Sequence, residues 1–359
     1  MKILSKILCC QETKVFIGKN ALENAASEIP EKAKVFLIRQ DVLDPTPIRS
    51  AFKNIVAEFV LKGGEESKDI EIVLKIAEKM HSVGIQRSDY VVAFGGGTLL
   101  DVAGFVSSIY LRGVNLVNIP TTLLSMVDAA IGGKNAVNFR GIKNVLGTFY
   151  QPSIIIADTL FLNTLPQAEF VNGLAEVIKY AFTLDYELYN FLKRNFENVL
   201  SRDEEALEYL IERSILNKLS VVEKDVFDVK DVRIVLNFGH TVGHMIESLS
   251  NFSVSHGKAV AVGMVYELMI STEMGITKDY VLKEAIEMIK VYGLPTSIRE
   301  LNVDIPKNLE TLKAVISKDK KAGWRGLTLP VVVDIGVWKP LTVNIDSYVE
   351  ALANALNRC

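Results

Sequence analysis

Two rhythms organise the apolar positions of this chain. In the first half, short, largely apolar runs alternate with longer segments in which apolar residues return every three or four positions. Residues 34–38, 90–94, 115–119 and 153–157 are such runs and read as buried strands, with an earlier strand expected over 13–18. Residues 48–59, 67–83 and 98–108 read as helices, with a short strand and turn around Gly63 and Gly64. In 67–83 the recurrence is carried by Ile70, Ile72, Val73, Ile76, Ala77 and Met80. After Thr164-Leu165-Pro166 the helical rhythm takes over: 170–182, 204–219, 257–274, 279–291 and 309–316, then a short strand at 329–333 and a last helix from Ser347. The pattern predicts an α/β domain over 1–165 and a mainly helical domain over 166–359.

Composition bounds what such a chain does. Its 359 residues are 49% apolar, enough for two cores. The 40 basic and 43 acidic residues leave a net charge of -3, which excludes a broad attraction to nucleic acid or anionic membrane but leaves room for a local phosphate site. No apolar run approaches the ~20 residues that span a bilayer, and the first ten residues lack the features of a signal peptide. The three cysteines, Cys9, Cys10 and Cys359, stand at the two ends and make no disulfide framework. A soluble cytoplasmic protein is expected.

Candidate chemistry concentrates in three places. Three of the four histidines are His240, His244 and His256, in and just after the stretch Leu-Asn-Phe-Gly-His-Thr-Val-Gly-His-Met-Ile-Glu. Spacing of four puts His240 and His244 on one helical face, so the local reading is a shared metal ion or acid–base work. Glu176 stands with Lys179 on an otherwise apolar helix; the two read either as an i,i+3 ion pair or as a carboxylate completing a histidine metal set. Gly95, Gly96 and Gly97 lie between a strand and a helix, where backbone N–H groups can face a phosphate, and Asp101 follows on that helix. Thr121 and Thr122 are placed to cap the next helix, which carries Asp128. Lys134, Asn138, Arg140, Lys143 and Asn144 form a polar set interleaved with glycines, suited to a phosphate-lined cleft.

The motifs Phe94-Gly-Gly-Gly-Thr-Leu-Leu-Asp101, Pro120-Thr-Thr-Leu-Leu-Ser-Met-Val-Asp128, Ile131-Gly-Gly-Lys-Asn-Ala-Val-Asn138, Asn172-Gly-Leu-Ala-Glu-Val-Ile-Lys179, Asn237-Phe-Gly-His-Thr-Val-Gly-His244 and Ser255-His-Gly257 occur in this order. With them the chain, from about residue 35 to its end, resembles the 3-dehydroquinate synthases of the sugar-phosphate cyclase group. The resemblance implies a Rossmann-like NAD-binding domain followed by a mainly α-helical metal- and substrate-binding domain, and a homodimer with its active site in the interdomain cleft. It implies Glu176, His240 and His256 as ligands of one divalent ion, zinc or cobalt, with His244 in the active site rather than on the metal. NAD is implied at Glu65, Lys68, Gly95, Gly96, Gly97, Asp101, Thr121, Thr122, Asp128, Lys134 and Lys143, with Phe161, Thr164 and Leu165 on the adenine side. Substrate contacts are implied for Asp128, Lys134, Asn144, Lys179, Lys218, Arg233, Asn237, His244 and Lys320 or Lys321. Arg112 would reach the phosphate from the partner subunit. Lys134, Lys179, Lys218, Asn237 and His244 form the implied catalytic set.

The implied substrate is 3-deoxy-D-arabino-heptulosonate 7-phosphate. The implied reaction is transient NAD-dependent oxidation at C5, phosphate elimination, re-reduction, ring opening and aldol closure to 3-dehydroquinate, with no net oxidation. Two departures touch the cofactor pocket. Ile38-Arg39-Gln40-Asp41-Val42 stands where the family has Thr-Asp-x-x-Val, and Lys62-Gly63 replaces Pro-Asp before Gly64-Glu65. Arg39 keeps NADP open beside NAD, because arginine accompanies a 2'-phosphate. Rival readings are a cyclase of another sugar phosphate, a metal-dependent glycerol dehydrogenase of similar fold, and a noncatalytic NAD sensor.

Overall fold

The structure, a computed structural model, describes residues 1–8, 11–303, 305, 308–317, 322–323 and 326–358. Lys320 and Lys321, the two alternatives for one substrate contact, and all three cysteines lie outside the described residues. The chain forms two compact units. One comprises Met1–Phe170 with Arg202–Phe227, the other Val171–Ser201 with Asp228–Cys359.

The first unit is built on β1 (Lys2–Leu8), β2 (Gln11–Ile17), β3 (Val35–Gln40), β4 (Ile55–Leu61), β5 (Tyr90–Gly95), β6 (Asn115–Pro120), β7 (Lys134–Phe139), β8 (Ile142–Phe149) and β9 (Ile154–Ala157). Seven strands form one sheet in the order β1-β2-β9-β6-β5-β3-β4. Only β1 is antiparallel to its neighbour; the other pairings are parallel. The helices are α1 (Ala21–Ala25), α2 (Thr46–Ala51), α3 (Ile70–Ser82) and α4 (Gly97–Ile109). Further along come α5 (Gln167–Thr183), α6 (Tyr186–Arg194), α7 (Phe196–Leu200) and α8 (Glu204–Lys224). The first division between the units falls inside α5. Helix α8 returns to the first unit, where Glu208, Glu212 and Glu223 pair with the Met1 amino group, Lys2 and Lys6 along β1.

The central strands are buried, and Leu37, Val92, Phe94, Val117, Ile119 and Ile156 share one apolar cluster. Chain order reverses at β3: β4 lies on its outer side, and β5 and β6 on the other. The crevice past the carboxyl ends of strands at such a reversal is where open α/β sheets bind ligands.

Residues 48–59, expected as one helix, divide into α2 and the edge strand β4. Asn54 makes the break, since its carbonyl accepts Val35 N at 2.9 Å and its side chain donates to Ala33 O at 3.2 Å. β-Branched Ile55 and Val60 then pair with β3, the register shifting past Val56. The polar set beginning at Lys134 is a hairpin, β7–β8. Its loop is Arg140-Gly141, both at positive φ (49° and 78°), as a two-residue hairpin turn requires.

The second unit carries α9 (His240–Leu249), α10 (His256–Glu273), α11 (Asp279–Val291), α12 (Leu309–Ile316) and α13 (Ile345–Arg358). A three-stranded sheet of β10 (Ala322–Gly323), β11 (Gly326–Asp334) and β12 (Val337–Val343) accompanies them. Helix α10 is apolar on all sides and almost wholly buried, which makes it the axis of this unit. Val242, Met245 and Ile246 turn the inner face of α9 into a core shared with Tyr266, Ile270, Leu312 and Leu352. That packing fixes the rotation of α9 and therefore where its histidines stand. No described helix is long and apolar enough to cross a membrane.

Candidate metal centre and dinucleotide-binding turn

Three helices of the second unit bring one donor each to a common point. Glu176 is on α5, His240 opens α9 and His256 opens α10. Their donor atoms all lie within 4.8 Å of one another, the metal-competent group found among the described residues. Glu176 is fully buried. Its Oε1 stands 3.5 Å from His240 Nε2 and 3.3 Å from His256 Nε2, and makes no hydrogen bond of regular geometry. Donors held 2.0–2.1 Å from a tetrahedral ion are separated by roughly 3.3 Å. The two distances therefore fit an ion between the three groups, and an otherwise unsatisfied buried carboxylate oxygen gains a partner from it.

The outer nitrogens are oriented. His240 Nδ1 faces Phe238 O at 3.1 Å, and His256 Nδ1 faces Glu247 Oε1 at 3.3 Å. Carbonyl and carboxylate partners of this kind fix the tautomer that leaves Nε2 for a metal. Burial holds His240 well below the usual histidine range. Burial also opposes the charged form of His256, but Glu176 and Glu247 outweigh it and raise that imidazole to about 10. Burial works against ionisation of Glu176 too, yet the adjacent Lys179, His240 and His256 hold its carboxyl well below the ordinary carboxylate range.

Lys179 is itself buried, pairs with Glu176 Oε2, and donates to Leu236 O at 2.8 Å. The two readings of Glu176 are thus met by its two oxygens, one on the i,i+3 lysine and one facing the imidazoles. His244 is exposed; its ring lies 5.3 Å from that of His240, but it is not among the three donors. The i,i+4 spacing that suggested a His240–His244 pair is outweighed because helix α10 delivers His256 instead. Arg233 and Asn237 sit on one short 3-10 turn immediately before α9, Arg233 buried and Asn237 half-buried. Glu247 was missed in the sequence, although seven residues after His240 put it on the same helical face.

The second constellation lies in the first unit, at the carboxyl ends of its parallel strands. β5 ends at Gly95, Gly96 caps α4, and Gly97 begins it. None of the three is at positive φ. Two of them sit in close quarters: a Cβ on Gly95 would lie 3.0 Å from Leu99 Cδ1, and one on Gly97 would lie 3.1 Å from Ala129 Cβ, whereas one on Gly96 would meet Thr122 Cγ2 at an ordinary 3.6 Å. The first N–H groups of α4 have no intrahelical carbonyl to bind and suit an anion.

Gly95 pairs in register with Pro120 at the end of β6, and Thr121 N donates to Gly95 O at 3.1 Å. Thr122 and Ser125 cap each other reciprocally, each hydroxyl accepting the other's N–H at 3.1 Å. They open a π-helical turn, Ser125–Ala129, in place of the ordinary helix the sequence suggested. Asp128 on that turn accepts Lys218 Nζ from α8 at 2.7 Å.

Asp101 pairs with Lys68; burial pushes its carboxyl up to about 6 and Lys68 restrains the rise. Glu65 accepts Asn138 Nδ2 at 2.9 Å, and Lys143 lies 3.9 Å from its carboxylate. Asn144 N donates to Asn138 Oδ1 at 3.0 Å, while Lys134 is exposed at the start of β7. Phe161 meets Phe94 edge-on at 5.1 Å, with Thr164 and Leu165 just beyond it. Arg112 is exposed at the end of a turn in which Leu111, Arg112 and Gly113 all have positive φ. Arg39 bonds Glu58 at 3.5 Å and the carbonyls of Gln40 and Leu43 at 3.4 Å.

Two family models match consecutive stretches of the chain. One, for the N-terminal part of 3-dehydroquinate synthase, matches residues 58–172, and one for its C-terminal part matches 173–322. The chain belongs to the 3-dehydroquinate synthase family. The 3-dehydroquinate synthase of Sulfurisphaera tokodaii is 47% identical over 349 residues, 97% of each chain. That of Saccharolobus solfataricus is 44% identical over 348 residues, again 97% of each.

Solved structures show the family's fold. A 2-deoxy-scyllo-inosose synthase complexed with carbaglucose-6-phosphate, NAD+ and Co2+ superposes with a TM-score of 0.86 at 23% identity, covering 98% of this chain and all of that one (100%). A 2-epi-5-epi-valiolone synthase from Streptomyces hygroscopicus, with NAD+ and Zn2+ bound, gives 0.83 at 24% identity over 100% and 99%. A probable glycerol dehydrogenase from Sinorhizobium meliloti is more distant, at 0.69 and 15% identity over 96% of each chain. The chain therefore has the α/β Rossmann-like sheet and mostly helical second part of the dehydroquinate synthase fold.

Proposed function

We propose that this protein is a 3-dehydroquinate synthase, a carbon–oxygen lyase that releases phosphate from 3-deoxy-D-arabino-heptulosonate 7-phosphate and forms 3-dehydroquinate in the shikimate pathway. The observation that carries the reading is the convergence of Glu176 Oε1 with two imidazole Nε2 atoms from separate helices, in a chain 47% identical to a family member along nearly its whole length. Three protein donors, one carboxylate and two imidazoles, are the ligand set of a catalytic zinc-type site. Relatives of the same fold hold cobalt or zinc together with NAD+.

In this reading Glu176, His240 and His256 hold one divalent ion, and the strand ends bearing Gly95–Gly97 and Thr121–Thr122 hold NAD. When bound, the ion supplies positive charge that acidifies a substrate hydroxyl, and NAD supplies a reversible hydride acceptor. Glu65, Lys68, Asp101, Asp128, Lys134 and Lys143 line the cofactor, with Phe161, Thr164 and Leu165 at the adenine. Lys179, fixed by Glu176 and Leu236 O, presents charge to developing enolate or alkoxide. Lys218, fixed by Asp128, does the same for the substrate's anionic groups together with Arg233 and Asn237. His244, whose ring lies 5.3 Å from that of His240, transfers protons. Lys134, Asn144 and Arg112 bind the substrate phosphate, Arg112 from the partner of a homodimer; arginine's fork suits that group. Lys320 or Lys321 completes the substrate contacts. NAD is favoured over NADP, since Arg39 is engaged by Glu58.

The test uses metal-loaded protein, catalytic NAD and the heptulosonate phosphate, with phosphate, dehydroquinate and reduced cofactor followed together. Equal phosphate and dehydroquinate without accumulation of NADH is the expected result. Stoichiometric NADH without phosphate release would replace this reading with a simple dehydrogenase. Turnover of glucose 6-phosphate or sedoheptulose 7-phosphate alone would replace it with another sugar-phosphate cyclase.

A further inference from the structure

The helices bearing the three donors are tied together by side chains outside the donor set. Gly239, the cap of α9, has φ of 79°, and a Cβ there would lie 2.6 Å from Met264 Cγ and 2.8 Å from Val260 O. No side chain fits where Ser, Asp or Asn would ordinarily cap a helix. Glu267, buried on α10, supplies the missing acceptors. Its Oε2 takes Gly239 N at 2.8 Å, and its Oε1 takes Thr241 N at 3.1 Å and Val242 N at 3.4 Å. It is the lone charged residue between Lys258 and Glu273 on a helix otherwise built for burial, and no step of the proposed reaction uses it.

Helix α10 is held in the same manner. His256 is its first residue, and Gly257 N donates to Asn172 Oδ1 at 2.6 Å. A Cβ on Gly257 would lie 2.0 Å from Asn172 O, so the start of α10 presses directly on α5. Asn172 is four residues before Glu176, on the same face of α5. The third tie is Lys179 on Leu236 O, in the turn that leads toward α9. Thus α5 holds the start of α10 and the approach to α9, and α10 holds the start of α9. The ring closes around the donors.

We infer that Asn172 and Glu267 are positioning residues for the divalent ion: by capping α10 and α9 they hold His256 and His240 at ion-binding spacing before the ion arrives. Each bonds backbone N–H groups at the start of a helix and acts on the donor through that helix end. The inference rests on the metal reading of Glu176, His240 and His256.

Cobalt(II) tests it in the full-length protein, through its dissociation constant by chelator competition and its visible absorption. Asn172→Ala and Glu267→Gln are expected to weaken cobalt binding by roughly 10- to 100-fold, the range for partners that orient metal ligands, and to change the cobalt spectrum. Asn172→Asp keeps an acceptor oxygen and is expected to recover most of the affinity. Glu267→Gln preserves shape and one acceptor, so it reports on the idea even where Asn172→Ala fails to fold. Folded variants with wild-type cobalt affinity and spectrum would overturn the inference while leaving the metal centre standing. Failure of the wild-type protein to bind cobalt would remove both.

Discussion

The metal centre and the glycine turn solve opposite physical problems. The metal centre puts charge where water is scarce. Glu176 is fully buried, and Lys179, His240, His256 and Glu247 are arranged in reply. A buried charge without partners is strongly unfavourable, so these side chains stand or fall as a set. The glycine turn carries its polarity on the backbone, as N–H groups at the start of α4, and a Cβ on Gly95 or Gly97 would crowd Leu99 or Ala129. One region is an assembly of side chains from three helices; the other is one strand, one turn and one helix in sequence. Binding at the first should therefore be lost through single side chains, and binding at the second should bend more than break.

The strongest way to break this comparison is His240→Ala. Removing a donor is expected to lower metal affinity by more than the ~100-fold attributed to orienting partners, and dehydroquinate formation with it. NAD binding, measured by equilibrium titration, should stay close to wild type. Full metal content with full turnover would sink the donor assignment, and parallel loss of NAD would erase the contrast between the regions. Arg112→Ala asks whether the substrate phosphate depends on a charge displayed from a turn of left-handed residues. A charge-assisted hydrogen bond is worth about 1.5–3 kcal/mol, so kcat/KM is expected to fall roughly 10- to 150-fold with metal content unchanged. Mixing Arg112→Ala subunits with subunits inactivated at His240 tests whether the arginine crosses the interface: hybrids should be more active than either parent.

Asp101 sharpens the comparison from the other side, as the half-buried carboxyl of the glycine-turn region. Its ordinary value is 3.8 and burial lifts it to about 6. The folded protein then holds this proton more tightly than the unfolded chain, so the group's contribution to stability falls as pH rises from about 4 to about 6 and is level above that. The loss amounts to about 2 kcal/mol after discounting for partial solvent access. Melting temperatures of wild type and Asp101→Asn across pH 4 to 7 measure it: the wild type should lose ground against its own low-pH value, and the variant should lack that step.

The same contrast explains what was legible in the sequence. The glycine turn is local, so the run 90–94, the triplet and the helix after it announced themselves, as did Thr121 and Thr122. What local pattern could not show was the close approach of Gly97 to Ala129, a residue from another element. At the metal centre the two histidines nearest in sequence suggested each other, whereas the donors that meet are Glu176, His240 and His256. Periodicity carries no information about which helices cross: the residues offered Glu176 as an ion-pair partner or a metal carboxylate, and the resemblance favoured the second. Glu267 left one trace, a single charge in an apolar helix. The 48–59 segment was misread because alternation in a short edge strand resembles a helical period over so few residues. The β7–β8 hairpin was hidden because its strands mix apolar and polar residues without a long apolar run, and its signal, a turn with two left-handed residues, is Arg-Gly rather than Asn-Gly.

The smallest expected effect concerns which cofactor the glycine-turn region takes. Arg39, at the end of β3, is the residue type that accompanies a 2'-phosphate, and it stands where the family has a different motif. Its guanidinium is already engaged by Glu58 on the neighbouring strand and by two backbone carbonyls, and Arg49 reaches the same carboxylate at 2.9 Å. A 2'-phosphate recruiting Arg39 would have to compete with Glu58 and would feel its negative charge. NAD should therefore support turnover better than NADP. Glu58→Gln removes the competing charge while keeping the shape of the side chain, and partly exposed ion pairs of this kind are worth up to about 1 kcal/mol. The NADP-to-NAD ratio of kcat/KM is expected to rise by about fivefold or less. An unchanged ratio would mean that Arg39 does not face the ribose, and a wild-type enzyme preferring NADP would mean that Arg39 gives up Glu58 whenever the cofactor binds.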